Sequence, residues 1–178
     1  MIQTLLIRRE RTPDDVDAVH GVHRQAFAPA TANEAEPIEV GLVRSLRDDP
    51  SWVPQLSWVA EDIDGSVVGH VVCTEGRVGD AVVLGLGPIG VLPSHQGRHI
   101  GHGLMRSVLG AADALDYPLV VLLGHLDYYP RFGFVPATSL GIVAPDPAWG
   151  AHFQARTLAT YTPELTGEFA YAAPFNEL

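Results

Sequence analysis

The chain has 178 residues, 47% of them hydrophobic, with no repeat or low-complexity tract, so it carries enough apolar material to bury a core and reads as one domain over residues 1–178. Its net charge of −10 argues against nucleic acid, whose phosphates call for a basic face, and favours a cationic small substrate. The apolar runs are too short to cross a bilayer, the opening MIQTLLIRRERTPDD has no basic leader with an apolar stretch behind it, and the single Cys73 excludes an internal disulfide; a cytoplasmic protein with no membrane partner is expected.

Ile2 to Arg8 reads as a strand. Thr12-Pro13-Asp14-Asp15 looks like a helix start, with a Thr cap, Pro at the first helical position and acids in the first turn. Val16, Val19, Val22 and Ala26 continue it at helical spacing, with His20 and His23 beside the apolar stripe. Pro37 opens a second helix whose inner face is Ile38, Leu42 and Leu46. Strands follow at 56–61 and 66–74, joined by the turn Asp62-Ile63-Asp64-Gly65. Ala81 to Val91 is a strand interrupted by glycines, Gly97 to Leu115 an amphipathic helix, and Leu119 to Leu123 a short buried strand. Asp127 to Arg131 reads as one helical turn, and strands and loops fill the remainder. The expected class is α/β (α+β), with a mixed central sheet flanked by helices.

Between Asp80 and Asp113 there is no acid, while Arg98, Arg106, His95, His99 and His102 all fall there, together with two glycine clusters. That pattern points to a bound anion. The first cluster, Gly85-Leu86-Gly87-Pro88-Ile89-Gly90, has the spacing of a dinucleotide fingerprint. Pro93 forbids the helix that such a site needs, and the position about 20 residues on is Gly110 rather than an acid. Glycines and a proline inside a strand instead suggest a bulge or a close backbone approach. The second cluster, Gln96-Gly97-Arg98-His99-Ile100-Gly101, opens an amphipathic helix, where unsatisfied amides and the helix dipole suit phosphate.

A strand, Val91-Leu92-Pro93, and then Gln96 to Gly101 opening a helix resembles the acetyl-CoA signature of the GNAT superfamily of N-acetyltransferases, Gln/Arg-x-x-Gly-x-Gly/Ala. Tyr129-Pro130-Arg131-Phe132-Gly133-Phe134 is similar to the family's Tyr-x-x-x-Gly-Phe segment. The chain departs from the signature at His99, which stands at its first glycine; helical geometry is expected there. The resemblance implies a GNAT-like fold in which the strand before the loop and the strand after the helix splay apart. Ile89, Gly90 and Val91 would then border pantetheine, and Gln96, Gly97, Arg98, His99, Ile100, Gly101 and His102 would form the pyrophosphate loop. A backbone N–H near Ile89 would polarise the thioester. The implied activity is acetyl transfer from acetyl-CoA to a primary amine by direct attack, without a metal. Tyr129 matches the family's acid. His125 and Glu75 are candidate bases, alongside a water chain that needs neither.

The alternatives are a non-catalytic CoA sensor and a nucleotide-binding oxidoreductase. His95, His99 and His102 lack a carboxylate partner for a metal site. Cys73, in an apolar strand, reads as a buried residue rather than an acyl carrier. The acceptor pocket is expected between the two N-terminal helices and the C-terminal strands, whose edges leave a homodimer open.

Overall fold

A computed structural model describes residues 5–28 and 35–178. The chain runs β1 (Leu6–Arg9), α1 (Val16–Phe27), α2 (Ile38–Asp48), β2 (Trp52–Glu61), β3 (Val67–Val78), β4 (Ala81–Val91), α3 (Ile100–Ala114) and β5 (Leu119–Leu123). A 3-10 turn at Tyr129–Phe132 leads to β6 (Val135–Pro136), β7 (Ile142–Val143), β8 (Phe153–Thr157) and β9 (Gly167–Ala170). Residues 2–4 of the first expected strand lie outside the described residues.

The strands form a mixed sheet in the order β1-β2-β3-β4-β5-β8-β6, with β9 pairing the far end of β3 and carrying β7. β4 and β5 are parallel; β1 to β4 are successively antiparallel, as is β5 with β8. On one face, α3 buries Ile100, Leu104, Met105, Val108 and Ala112 against β2, β3 and β4. These positions recur every three to four residues, so a single stripe of the helix does the packing. On the other face, α1 covers β3 and β4, and α2 packs beside it against β2 and the C-terminal turn Ala173–Glu177. A second core, with Val83, Val121, Ile142, Phe153 and Phe169, joins the C-terminal third to the sheet.

Two helix starts differ from expectation. α1 begins at Val16, not Thr12. Asp15 holds the cap position, yet its side chain makes no capping bond; its carboxylate is drawn to Arg8 Nη1 at 2.6 Å and to the Arg11 amide at 2.6 Å. An ion pair with two oxygens engaged outcompetes a cap. α3 begins at Ile100, because the preceding residues form a 3-10 turn at Pro93–His95 and a loop whose Gly97 and His99 both have positive φ.

The first glycine cluster lies wholly inside β4. Val71 pairs with Ile89 and Cys73 with Leu86, so two steps on β3 face three on β4. The extra residue is a β-bulge at Gly87-Pro88, where Gly87 takes φ +146°, a conformation closed to a side chain. Gly85 leaves room for Tyr171, whose ring would lie 2.9 Å from an added Cβ. No helix follows this cluster, which removes the dinucleotide geometry.

Candidate active site

The parallel ladder between β4 and β5 consists of Leu84 with Val120 and Gly85 with Val121, and then it ends. Beyond the bulge, β4 continues to Val91 with its β5-facing edge unpaired, while β5 continues to Leu123. The two strands therefore open a cleft at their C-terminal ends. Ile89, Gly90 and Val91 all lie on that open stretch. Gly90 also serves the opposite face: a Cβ there would come within 3.1 Å of His23 Nδ1.

At the head of the cleft sits a cavity of about 330 Å³, lined by Val91, Gln96 and Gly97, by His99 to His102, and by His95 and Tyr128. α3 has no side-chain cap, and its first internal bond runs from Gly103 N–H to the His99 carbonyl, 3.1 Å. The amides of Ile100, Gly101 and His102 are thus free of helical partners, and all three residues line this cavity. Together with the helix dipole they make an anion cradle. Gln96 Nε2 donates to the Val91 carbonyl at 3.1 Å and ties the loop to the strand end. His95 is fixed by Asp62 Oδ2 at 3.0 Å, a partner in the β2–β3 turn that nothing in the local sequence announced.

His99 does not adopt the helical geometry expected of it. It caps α3 at φ 59°, ψ 18°, the left-handed region, where a side chain costs about 1 kcal/mol. The conformation is the one a glycine would take there, so the histidine carries a glycine's backbone. Arg98 does not line the cavity. The nearby cation is Arg131, whose Nη1 donates to His102 Nε2 at 3.1 Å and whose guanidinium lies over the Tyr128 ring at 4.9 Å. His102 is held below its ordinary pKa by desolvation and by Arg131, so it stays neutral.

The two tyrosine rings are neighbours, edge-on with centroids 5.0 Å apart, and of the two only Tyr128 lines the cavity. Tyr128 reaches the cradle, with its hydroxyl 2.8 Å from where a Cβ on Gly101 would stand. Tyr129 packs on Gly124 at the end of β5, so closely that a Cβ there would fall within 2.2 Å of Tyr129 Cε2. Burial, with Tyr128 adding to it, pushes the Tyr129 phenol up to about 12.

A family model described as "Acetyltransferase (GNAT) domain" matches residues 54–136, the stretch holding β4, the loop, α3, β5 and Tyr129. A curated relative, the uncharacterized N-acetyltransferase YjhQ of Escherichia coli K12, is 34% identical over 144 residues, covering 76% of this chain and 79% of that protein. The chain belongs to the GNAT family of acetyltransferases. The GNAT N-acetyltransferase YhbS of Escherichia coli, solved in complex with CoA, superposes at TM-score 0.87 with 28% identity over 99% of this chain and 94% of that one. A GNAT acetyltransferase from Brucella melitensis, solved with acetyl-CoA, gives TM-score 0.75 and 34% identity over 97% of this chain and 98% of its own. The expected mixed sheet flanked by helices is therefore the fold of this enzyme.

The remaining expected residues of this acetyltransferase scatter. Glu75 lies on β3 opposite Leu84, and its carboxylate accepts from Tyr117 Oη at 2.6 Å. Tyr117 precedes β5, at the end away from the cleft, so Glu75 is not brought to the site. His125 follows Gly124, exposed, and its ring lines neither the cradle nor the cavity on the opposite face. Its carbonyl accepts from the Tyr128 and Tyr129 amides at 3.3 Å and so starts the turn that sets both rings. Cys73 is fully buried against α3, and burial pushes its thiol far up, which disfavours a thiolate. Among the described residues, no group of three or more His, Cys, Asp or Glu could hold a metal ion.

One buried network escaped the sequence reading. Arg47 Nη1 pairs with Glu10 Oε1 at 2.5 Å, and Ser57 Oγ donates to Glu10 Oε2. With its proton spent on the carboxylate, Ser57 accepts from His70 Nε2 at 2.8 Å; His70 Nδ1 then accepts from His23 Nε2 at 2.7 Å. Burial holds both rings below their ordinary pKa, so both are neutral. The chain of tautomers ends on His23 Nδ1, which has no hydrogen-bond partner among the described residues and lies beside Gly90 of β4. Its members lie up to 60 residues apart (Glu10 to His70), beyond the reach of spacing arguments.

Proposed function

We propose that this protein is a single-domain acetyl-CoA-dependent N-acetyltransferase that passes the acetyl group to a primary amine within one ternary complex. The observation that carries this reading is the conjunction of two features along one cleft: the uncapped start of α3, and the open edge of β4 that runs from the last β4–β5 pair at Gly85 to Val91 beside that helix start. The first suits a pyrophosphate, and the second leaves a strand edge that an extended pantetheine arm can pair with. The loop fits such a ligand: at Gly97 an added Cβ would meet nothing within 4 Å, and at Gly101 it would meet only Tyr128.

Acetyl-CoA supplies an activated acyl group as a thioester. The free amides from Ile100 to His102 hold the pyrophosphate, and the open edge at Ile89, Gly90 and Val91 aligns the arm. Tyr129, kept protonated by burial, is the proton donor for the sulfur that leaves. A lysine-like amine, with an ordinary pKa near 10.4, arrives charged and gives up its proton before attack. With Glu75 engaged elsewhere and the His125 ring lining neither cavity, a water chain takes that role. The buried, protonated Cys73 supports direct attack over an acyl-cysteine route.

Calorimetric titration with acetyl-CoA, with NAD as control, tests the first half: saturable binding of the thioester alone is expected. Thiol release on adding primary amines tests the second. Binding without release for any amine would leave a CoA sensor in place of an enzyme.

A further inference from the structure

On the face of the sheet opposite α3, a cavity of about 520 Å³ opens onto the cleft. Leu86, Gly87 and Pro88 of the bulge line it from β4, and Leu123 from β5, so the same strand ends that frame the thioester arm form its floor. That volume falls within the range of small-molecule sites, about 300–1,000 Å³. Resting on the acetyltransferase reading above, we infer that this cavity seats the acceptor, and that the acceptor is a primary ammonium carried on an apolar or aromatic body with no carboxylate of its own.

Three observations carry the inference. Among the described residues, the charged side chains of the lining are Glu39 and Asp146, with no arginine or histidine, and the chain has no lysine at all. Glu39 forms no hydrogen bond or ion pair among the described residues, while Asp146 spends one oxygen on the Ala148 amide at 2.8 Å and keeps the other. The wall is aromatic: Trp149 meets Tyr171 edge-on at 6.2 Å, and Tyr171 lies 4.6 Å from Phe175. Burial pushes the Tyr171 phenol up, so it is neutral and presents a π face. Such rings attract a cation and cover an apolar body equally well. Finally, Ile38, expected on the inner face of α2, is instead 60% exposed, and Leu123 is 46% exposed; both line this cavity. A free amino acid would bring a carboxylate toward Glu39 and Asp146. Among the described residues, the uncapped start of α2 and the Asn176 side-chain amide could receive it without adding positive charge, and Glu39 in that first turn opposes it.

The test uses the full chain, saturating acetyl-CoA and thiol release, comparing phenethylamine and tryptamine with phenylalanine and tryptophan, and with spermidine. The arylalkylamines should exceed their parent amino acids in kcat/KM by about tenfold or more, the penalty of one uncompensated like charge. Glu39→Gln and Asp146→Asn should raise the amine KM about tenfold and leave the acetyl-CoA KM unchanged. Tryptophan fluorescence supplies a readout independent of turnover: phenethylamine should quench it, and Trp149→Phe should abolish the change. Equal or better use of the amino acids, preference for spermidine, or acid variants with an unchanged amine KM would each overturn the inference while the transferase reading stands. Quenching by phenethylamine in a protein that fails to bind acetyl-CoA would do the reverse.

Discussion

At the scale of single residues, the site depends on atoms that are absent. Gly124 has no side chain, so the Tyr129 ring can lie against the end of β5. Gly124→Ala should displace that ring and lower kcat by about 10²-fold, matching Tyr129→Phe, with acetyl-CoA affinity nearly unchanged in both. Steady-state kinetics beside calorimetry would separate this from a folding defect. His99 makes the opposite case. A side chain sits where the backbone is left-handed, so His99→Gly should relieve about 1 kcal/mol of strain and raise Tm by about 2–4 °C, read by thermal scanning. The pyrophosphate signature was legible around this position; its geometry was not, because a residue's φ is set by the turn it must close.

At the scale of elements, β4 does two jobs with one irregularity. The bulge at Gly87-Pro88 shifts the register against β3 and falls just after the last pair with β5. The glycines of this strand announced a bulge or close approach; that Gly85 admits Tyr171 and Gly90 admits His23 required the packed neighbours. The network Arg47–Glu10–Ser57–His70–His23 ties β1's exit, α1, α2, β2 and β3 together through buried polar atoms. Ser57→Ala removes the link between Glu10 and His70 and leaves two buried polar atoms short of a partner. It should cost about 1–3 kcal/mol, measured by urea unfolding. A neutral result would mean that water replaces the hydroxyl.

At the scale of the whole molecule, charge is sorted. Arg8, Arg24, Arg44 and Arg47 are ion-paired on the α1–α2 side, whereas Arg98, Arg106, Arg131 and Arg156 form no ion pair among the described residues. Arg106, Arg131 and Arg156 meet around a concavity of about 460 Å³ alongside α3, continuing the anionic preference of the cradle. The acids Glu39 and Asp146 lie across the sheet. An anionic co-substrate and the cationic acceptor proposed above would thus be drawn to opposite faces of one cleft. Stability should follow the buried network. His23 and His70 titrate below the ordinary 6.5 in the folded chain, so the unfolded chain takes up their protons first, and stability falls once pH drops below about 6.5. For Glu10, burial works against ionisation, but the nearby His70 ring, 3.6 Å away, and hydrogen bonds from Arg47 and Ser57 outweigh it and hold the pKa at about 2 against an ordinary 4.5, which adds a second loss between those values. Tm measured from pH 8 to 3 should be flat above 6.5 and decline in two stages below it; a rise on acidification would contradict the neutral assignment of the two histidines.

The sequence by itself determined the fold class and the family, and it marked the glycine loop before α3 and Tyr129 after β5 as the places to look for the site. Each of these is written in neighbouring residues: apolar periodicity, a glycine loop followed by an amphipathic stripe, and a Tyr-x-x-x-Gly-Phe run. Only the tertiary structure decided that Glu75 is held away from the cleft, where Cys73 lies, which glycines are spacers for a distant ring, and which side chains line the cavity across the sheet. Those properties belong to pairs of residues such as Glu75 with Tyr117, Gly85 with Tyr171 and Glu39 with Asp146. Such pairs are distant along the chain and meet only when the sheet closes, so no local pattern encodes them.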